Sequence, residues 1–125
     1  WKVEVKEADL LARLGARAGI HAVNGLDLEH NSEGRVLKLT VRDGRNRPHV
    51  FTGMRIRGVL GLKDNVFRVL TVGAGAQRRW IFYGRGWGHG VGMDQTGAYG
   101  FALEGWSFER ILKHYYTGIA LTRVP

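Results

Sequence analysis

The stretch Val23-Asn24-Gly25-Leu26-Asp27-Leu28-Glu29-His30-Asn31-Ser32-Glu33-Gly34-Arg35-Val36-Leu37-Lys38-Leu39-Thr40-Val41 decides the fold class. Residues 23–30 and 35–41 alternate apolar with polar side chains, the period of a strand with one buried face. Asn31-Ser32-Glu33-Gly34 between them is turn chemistry, so the two runs predict an antiparallel hairpin. Outward from it, residues 50–52 predict a third short strand and residues 53–60 a brief helix or turn. Residues 66–72 and 80–83 are β-rich runs joined by Gly73-Ala74-Gly75. Upstream, Leu10, Leu11 and Leu14 fall at helical spacing, with Gly15 placed to stop that helix. Downstream, Ser107 holds an N-cap position before Phe108, Ile111, Leu112 and Tyr115 at helical spacing. Thr117-Gly118 ends this helix, and residues 119–124 are expected to return as a strand. The expectation is a single α+β domain over residues 1–125. Its core is a small mixed β-barrel-like set of short strands, with two or three peripheral helices.

The 125 residues include 44% hydrophobic and 24% charged residues, a balance that excludes a disordered tail and suits one core. No apolar run approaches the ~18–20 residues that a bilayer requires. With no cysteine, disulfides, thiolate metal sites and a cysteine nucleophile are excluded. The chain begins at Trp1 without an initiator methionine or signal-like segment, as expected of a processed form or a fragment. Net charge is +8, and 15 of the 19 basic residues lie in residues 1–79. Such a balance suits a polyanionic partner. No nucleic-acid module accompanies Arg42, Arg45, Arg47, Arg55, Arg57, Arg78 and Arg79, so no nucleic-acid partner is expected.

Residues 80–116 hold ten of the thirteen aromatic residues, and eight glycines crowd between Gly84 and Gly105. The run Gly84-Arg85-Gly86-Trp87-Gly88-His89-Gly90-Val91-Gly92-Met93 is not a dinucleotide fingerprint. Those glycines need an i, i+2, i+5 spacing, and these all fall on even positions. Read as a strand, it would present five bare glycines on one face and Arg85, Trp87, His89, Val91 and Met93 on the other. Each glycine costs about 0.5–1 kcal/mol relative to alanine, so five together imply a compensating reason. Asp94-Gln95-Thr96-Gly97-Ala98 then adds a carboxylate and an amide. With Trp87 available to stack on a sugar ring, the pattern suits carbohydrate recognition. Asp94 also fits the N-cap of a helix beginning near Gln95.

The stretch Gly86-Trp87-Gly88-His89-Gly90-Val91-Gly92-Met93-Asp94-Gln95-Thr96-Gly97-Ala98 resembles the signature of the stage II sporulation protein D / LytB (amidase enhancer) family. Gly105, Phe108, Ile111-Leu112, His114-Tyr115-Tyr116 and Gly118 follow in that family's order. Ser32-Glu33-Gly34-Arg35-Val36 with Leu39, and Leu60-Gly61-Leu62 leading to Phe67, resemble its preceding strands. The family usually carries a small residue at the position of Asp94 and often an aromatic at that of Thr96.

The resemblance implies a peptidoglycan protein of the cell envelope, outside the cytoplasm, related to lytic transglycosylases that cleave glycan strands. In such cleavage one carboxyl protonates the glycosidic oxygen and then takes a proton from the C6 hydroxyl. The family's catalytic glutamate lies in an alanine-rich helix with no counterpart in these residues. This chain is therefore expected to be the C-terminal, glycan-binding or scaffold part of such a domain. The catalytic residue is unknown, with Asp94, the only acid inside the signature, as the fallback. The substrate-binding candidates are Trp87, His89, Gln95, Tyr115 and Tyr116, and Gly86, Gly88, Gly90, Gly92 and Gly97 are structural. No metal or cofactor is expected. The implied partners are glycan strands and either the missing half as a separate chain or another cell-wall hydrolase. The alternative reading is non-enzymatic: an amidase enhancer or peptidoglycan-binding module that positions another hydrolase.

Overall fold

The computed structural model describes residues 1–124 and divides them into two compact units, Trp1–His89 and the residues from Gly90 onward. The first unit contains β1 (Lys2–Lys6), α1 (Glu7–Ala18), β2 (Val23–His30), β3 (Val36–Asp43), β4 (Pro48–Thr52), α2 (Arg55–Leu60), β5 (Phe67–Val72) and β6 (Arg79–Gly84). The second contains α3 (Gln95–Leu103) and α4 (Phe108–Tyr115).

The strands form two antiparallel sheets of three, ordered β1-β6-β5 and β2-β3-β4. The predicted hairpin is β2–β3, in which Leu28 faces Leu39 and Leu26 faces Val41 across the ladder. Its turn closes through Asn31, whose side-chain oxygen accepts the N–H groups of Glu33 (3.1 Å) and Arg35 (2.8 Å). Gly34 supplies the positive φ of 83° that the turn needs.

The α+β class holds, but the barrel-like core is overturned: neither sheet closes on itself or on the other. Closure requires every strand to be paired on both sides. Here β1, β5, β2 and β4 are all edges, and the isolated bridge between Arg35 and Val66 is the single rung between the sheets among the described residues. Among the described residues there are four α-helices rather than two or three, two in each unit.

α1 also runs past Gly15 to Ala18. Gly15 is a place of close approach, since a β-carbon there would stand 2.8 Å from His21 Nδ1. The stop is Gly19, left-handed at φ 67°, whose N–H caps Gly15 O at 3.0 Å. Residues 119–124 do not form the expected strand.

The first unit is held by apolar side chains from both sheets and both helices. Leu10 and Leu14 of α1 and Ile56 and Leu60 of α2 meet Val5, Leu39, Val41, Phe51, Phe67, Trp80 and Phe82. Each such burial stabilises the fold by roughly 1.5–3 kcal/mol. α1 also satisfies the end of α2, as Arg13 donates to Leu60 O (2.8 Å) and Arg17 to Gly58 O (2.7 Å).

One ionic cluster is built into this core. Glu7 accepts the Trp80 indole N–H at 2.7 Å and two Arg78 N–H groups at 2.8 and 2.6 Å. Arg78 also donates to the Val23 carbonyl. Burial pushes the Glu7 carboxyl up, but the Arg78 and Trp80 hydrogen bonds and the Arg78 charge outweigh it and hold it below its ordinary value.

Candidate functional site

The glycine-rich signature is divided between the two units: Gly86, Trp87, Gly88 and His89 end the first, and the rest opens the second. It is not a strand. Gly86 (φ 79°), Gly88 (138°), Gly90 (67°) and Gly92 (80°) all take positive φ, a region that side-chain-bearing residues rarely enter. The alternation is therefore one of backbone conformation. The expected arrangement of glycines on one bare strand face is corrected accordingly.

In the first unit this loop is pinned from several directions. Arg85 N–H donates to Val66 O (3.0 Å), Gly88 N–H to Lys63 O (3.0 Å) and the Trp1 indole to Gly86 O (2.9 Å). Gly86 lies against Asp64, where a β-carbon would stand 2.7 Å from Oδ2. Asp64 is itself buried and fixed. Its Oδ1 takes the Arg35 guanidinium at 3.1 Å and the backbone N–H groups of Asn65 and Val66 at 2.6 and 3.2 Å. On this anchored turn Trp87 stands 79% exposed, with the Lys63 ammonium 4.4 Å from its ring centroid. His89 is exposed beside it in sequence. Lys63 and Asp64 escaped the sequence reading. Their signal was the polar run Lys63-Asp64-Asn65 between Leu62 and Val66, which is turn chemistry.

In the second unit Asp94 is the N-cap of α3. Oδ1 accepts Thr96 N–H at 3.1 Å and Oδ2 accepts Gly97 N–H at 3.0 Å, so both oxygens act as acceptors. Gly97 leaves space for the Tyr115 hydroxyl, which a β-carbon at 97 would overlap. Burial, and after it the Asp94 charge, raises the Tyr115 phenol above its ordinary value. Tyr116 accepts the Met93 N–H at 3.3 Å and stands over Gly92. Gln95 is exposed in the first turn of α3.

Around Tyr115 the aromatic side chains pack on one another. Phe101 stacks on Trp106 at 4.3 Å between centroids, His114 meets Phe101 edge-on at 4.8 Å, and Arg110 covers Trp106 at 3.6 Å. Asp94, Gly97 and Tyr115 thus form one group, and Gly92, Met93 and Tyr116 another. Among the described residues no cluster of three His, Asp or Glu side chains is placed to hold a metal ion, and no helix is long and apolar enough to cross a membrane.

This α+β unit with an anchored, aromatic-bearing glycine loop has a family. Residues 1–92 match the family described as "Domain of unknown function (DUF8618)", and the chain belongs to it. Shorter stretches are similar to curated proteins. One is 48% identical over 44 residues, or 35% of this chain, to the amidase enhancer of Bacillus subtilis (strain 168). Another is 50% identical over 38 residues, or 30% of the chain, to stage II sporulation protein D of Bacillus amyloliquefaciens. A third is 54% identical over 39 residues, or 31% of the chain, to an uncharacterized protein of Brachyspira hyodysenteriae (strain ATCC 49526 / WA1). These matches cover only 6% of the first of these relatives and 11% of each of the others. They establish a distant relationship to amidase-enhancer and stage II sporulation protein D sequences.

Proposed function

We propose that this chain is a non-enzymatic, peptidoglycan-binding module of the amidase-enhancer kind, part of a larger protein of the cell envelope outside the cytoplasm. Its work is to hold glycan strands and so position or activate a separate cell-wall hydrolase. The observation that carries this reading is Trp87, an exposed indole on a turn pinned by Lys63, Val66 and Trp1. A pre-ordered aromatic face stacks on the C–H face of a sugar without a further ordering cost. The +8 charge draws the module to an anionic wall.

One feature favours binding over cleavage. Asp94, the fallback acid, has both oxygens engaged as acceptors in a helix cap.

Co-sedimentation with insoluble peptidoglycan tests this. Part of the retention should survive about 0.5 M salt, where screening extends only ~4 Å, and Trp87→Ala should remove that part. Salt-resistant retention unchanged in Trp87→Ala, or release of anhydro-muropeptides by the chain alone, would overturn the reading.

A further inference from the structure

Each sheet of the first unit leaves strand edges unpaired: among the named strands β2 pairs only with β3, and β5 only with β6. The sheets meet at the start of β3, where Arg35 bridges Val66 and Val36 N–H donates to Asn65 O at 2.8 Å, and the His30 side chain of β2 reaches the open edge of β5, with Nε2 2.9 Å from Phe67 O. Beyond that point a groove of about 520 Å³ opens, with Leu26, Leu28 and His30 on one wall and Arg68 and Val69 on the other. Leu26, Leu28 and Val69 pack against the core yet remain only half-buried.

We propose that this groove receives an extended, acidic segment of another polypeptide as an added β-strand. Three observations select that occupant. An unpaired strand edge presents N–H and C=O groups at strand spacing, and another extended backbone matches that row. Alternate side chains of the added strand would cover Leu26, Leu28 and Val69, completing a core that now ends at the groove. The charge is set by Arg68, which has no carboxylate partner among the described ion pairs. An adjoining groove of about 360 Å³ shares Arg68 and Gly34 and adds Arg85, against the single acid Glu33. Arg85 donates to the Glu33 carbonyl oxygen. The added strand uses neither Trp87 nor the second unit, so this inference and the glycan reading fail separately.

The test is a titration of the chain, followed by amide NMR and hydrogen exchange, with a capped nonapeptide of alternating valine and glutamate at up to millimolar concentration. Amide shifts at Leu26, Leu28 and Val69, with new exchange protection along β2 and β5, are expected. Methylating alternate peptide nitrogens should weaken binding at least about tenfold, the loss of roughly one or two hydrogen bonds. A valine–lysine peptide should not bind wild type, and Arg68→Glu, an exposed substitution, should reverse the two preferences. No shifts in the groove, or equal binding of the methylated peptide, would overturn the proposal. So would the same protection arising from self-association of the chain without peptide, which would assign the edges to a second copy.

Discussion

Gly86 is pressed against Asp64, so that a β-carbon at position 86 would stand 2.7 Å from the carboxylate Oδ2. The neighbour cannot yield, because Asp64 is held by Arg35 and by two backbone amides of its own turn. Gly88, two residues on, faces open space but has φ 138°. Gly86→Ala therefore combines a clash with backbone strain, while Gly88→Ala carries strain alone. We expect Gly88→Ala to lose on the order of 1–3 kcal/mol and Gly86→Ala to lose more. Thermal and urea unfolding of both variants checks the order. A milder Gly86→Ala would mean that the Asp64 turn shifts freely.

Trp87→Ala should leave stability within about 1 kcal/mol of wild type, the scale of an exposed cation–π contact with Lys63. A buried tryptophan would instead cost about 3–5 kcal/mol. Measuring the melting temperature alongside peptidoglycan retention separates a contact surface from a packing role.

Asp94 caps α3 through acceptors only. Asp94→Asn keeps a capping side chain and should change stability by a few tenths of a kcal/mol, whereas Asp94→Ala should cost about 1 kcal/mol. Removing the Asp94 charge should also lower the Tyr115 phenol part of the way, because that charge is the second cause of its elevation after burial. Ultraviolet titration of Asp94→Asn reads this directly. An unmoved Tyr115 would remove Asp94 from its surroundings.

Gly97→Ala should loosen α3 from α4, since the new methyl overlaps the Tyr115 hydroxyl and meets Asp94 Oδ2 at 2.8 Å. Tyr115→Phe in the same chain removes the first obstacle and should restore part of the loss. Near-ultraviolet circular dichroism of the Phe101–Trp106 stack follows it. No recovery in the double variant would place the strain elsewhere.

Acid should unfold the first unit. Glu7 is held below its ordinary value of 4.5, so its contribution is present in full above that value. It is lost as pH falls below 4.5 toward the folded-state value, where the native chain must take up the proton. Asp43, lowered first by His49 and then by Arg47 and the turn amides against the opposing effect of burial, acts in the same direction. Glu7→Gln should therefore flatten the fall in stability below about pH 4.5. At neutral pH it should cost on the order of 2–3 kcal/mol, below a fully buried pair because Arg78 keeps 19% of its side chain exposed. An unchanged acid slope in Glu7→Gln would assign the transition to other carboxyls.

Local periodicity alone announced the hairpin, β5, β6, α4 and its Ser107 cap, because each is written in consecutive side chains or in a cap beside its helix. β1 was equally available in the alternation of Lys2-Val3-Glu4-Val5-Lys6 and went unread. The end of α1 was misplaced because Gly15 and Gly19 differ only in what surrounds them. Gly15 faces His21, and Gly19 turns the chain.

By itself the sequence determined the α+β class, the glycine-aromatic signature and the candidates Trp87, Asp94 and Tyr115. Those follow from residue type and spacing, which no partner can change. Tertiary structure alone decided that the sheets stay open, since closure depends on which edges come within hydrogen-bonding reach. It alone decided that the alternating glycines serve positive φ rather than a bare strand face, because both readings share one sequence period. Only the fold brought Lys63 and Asp64, more than twenty positions upstream, beneath the turn that carries Trp87. Contacts of that separation are set by packing, and no local pattern encodes them.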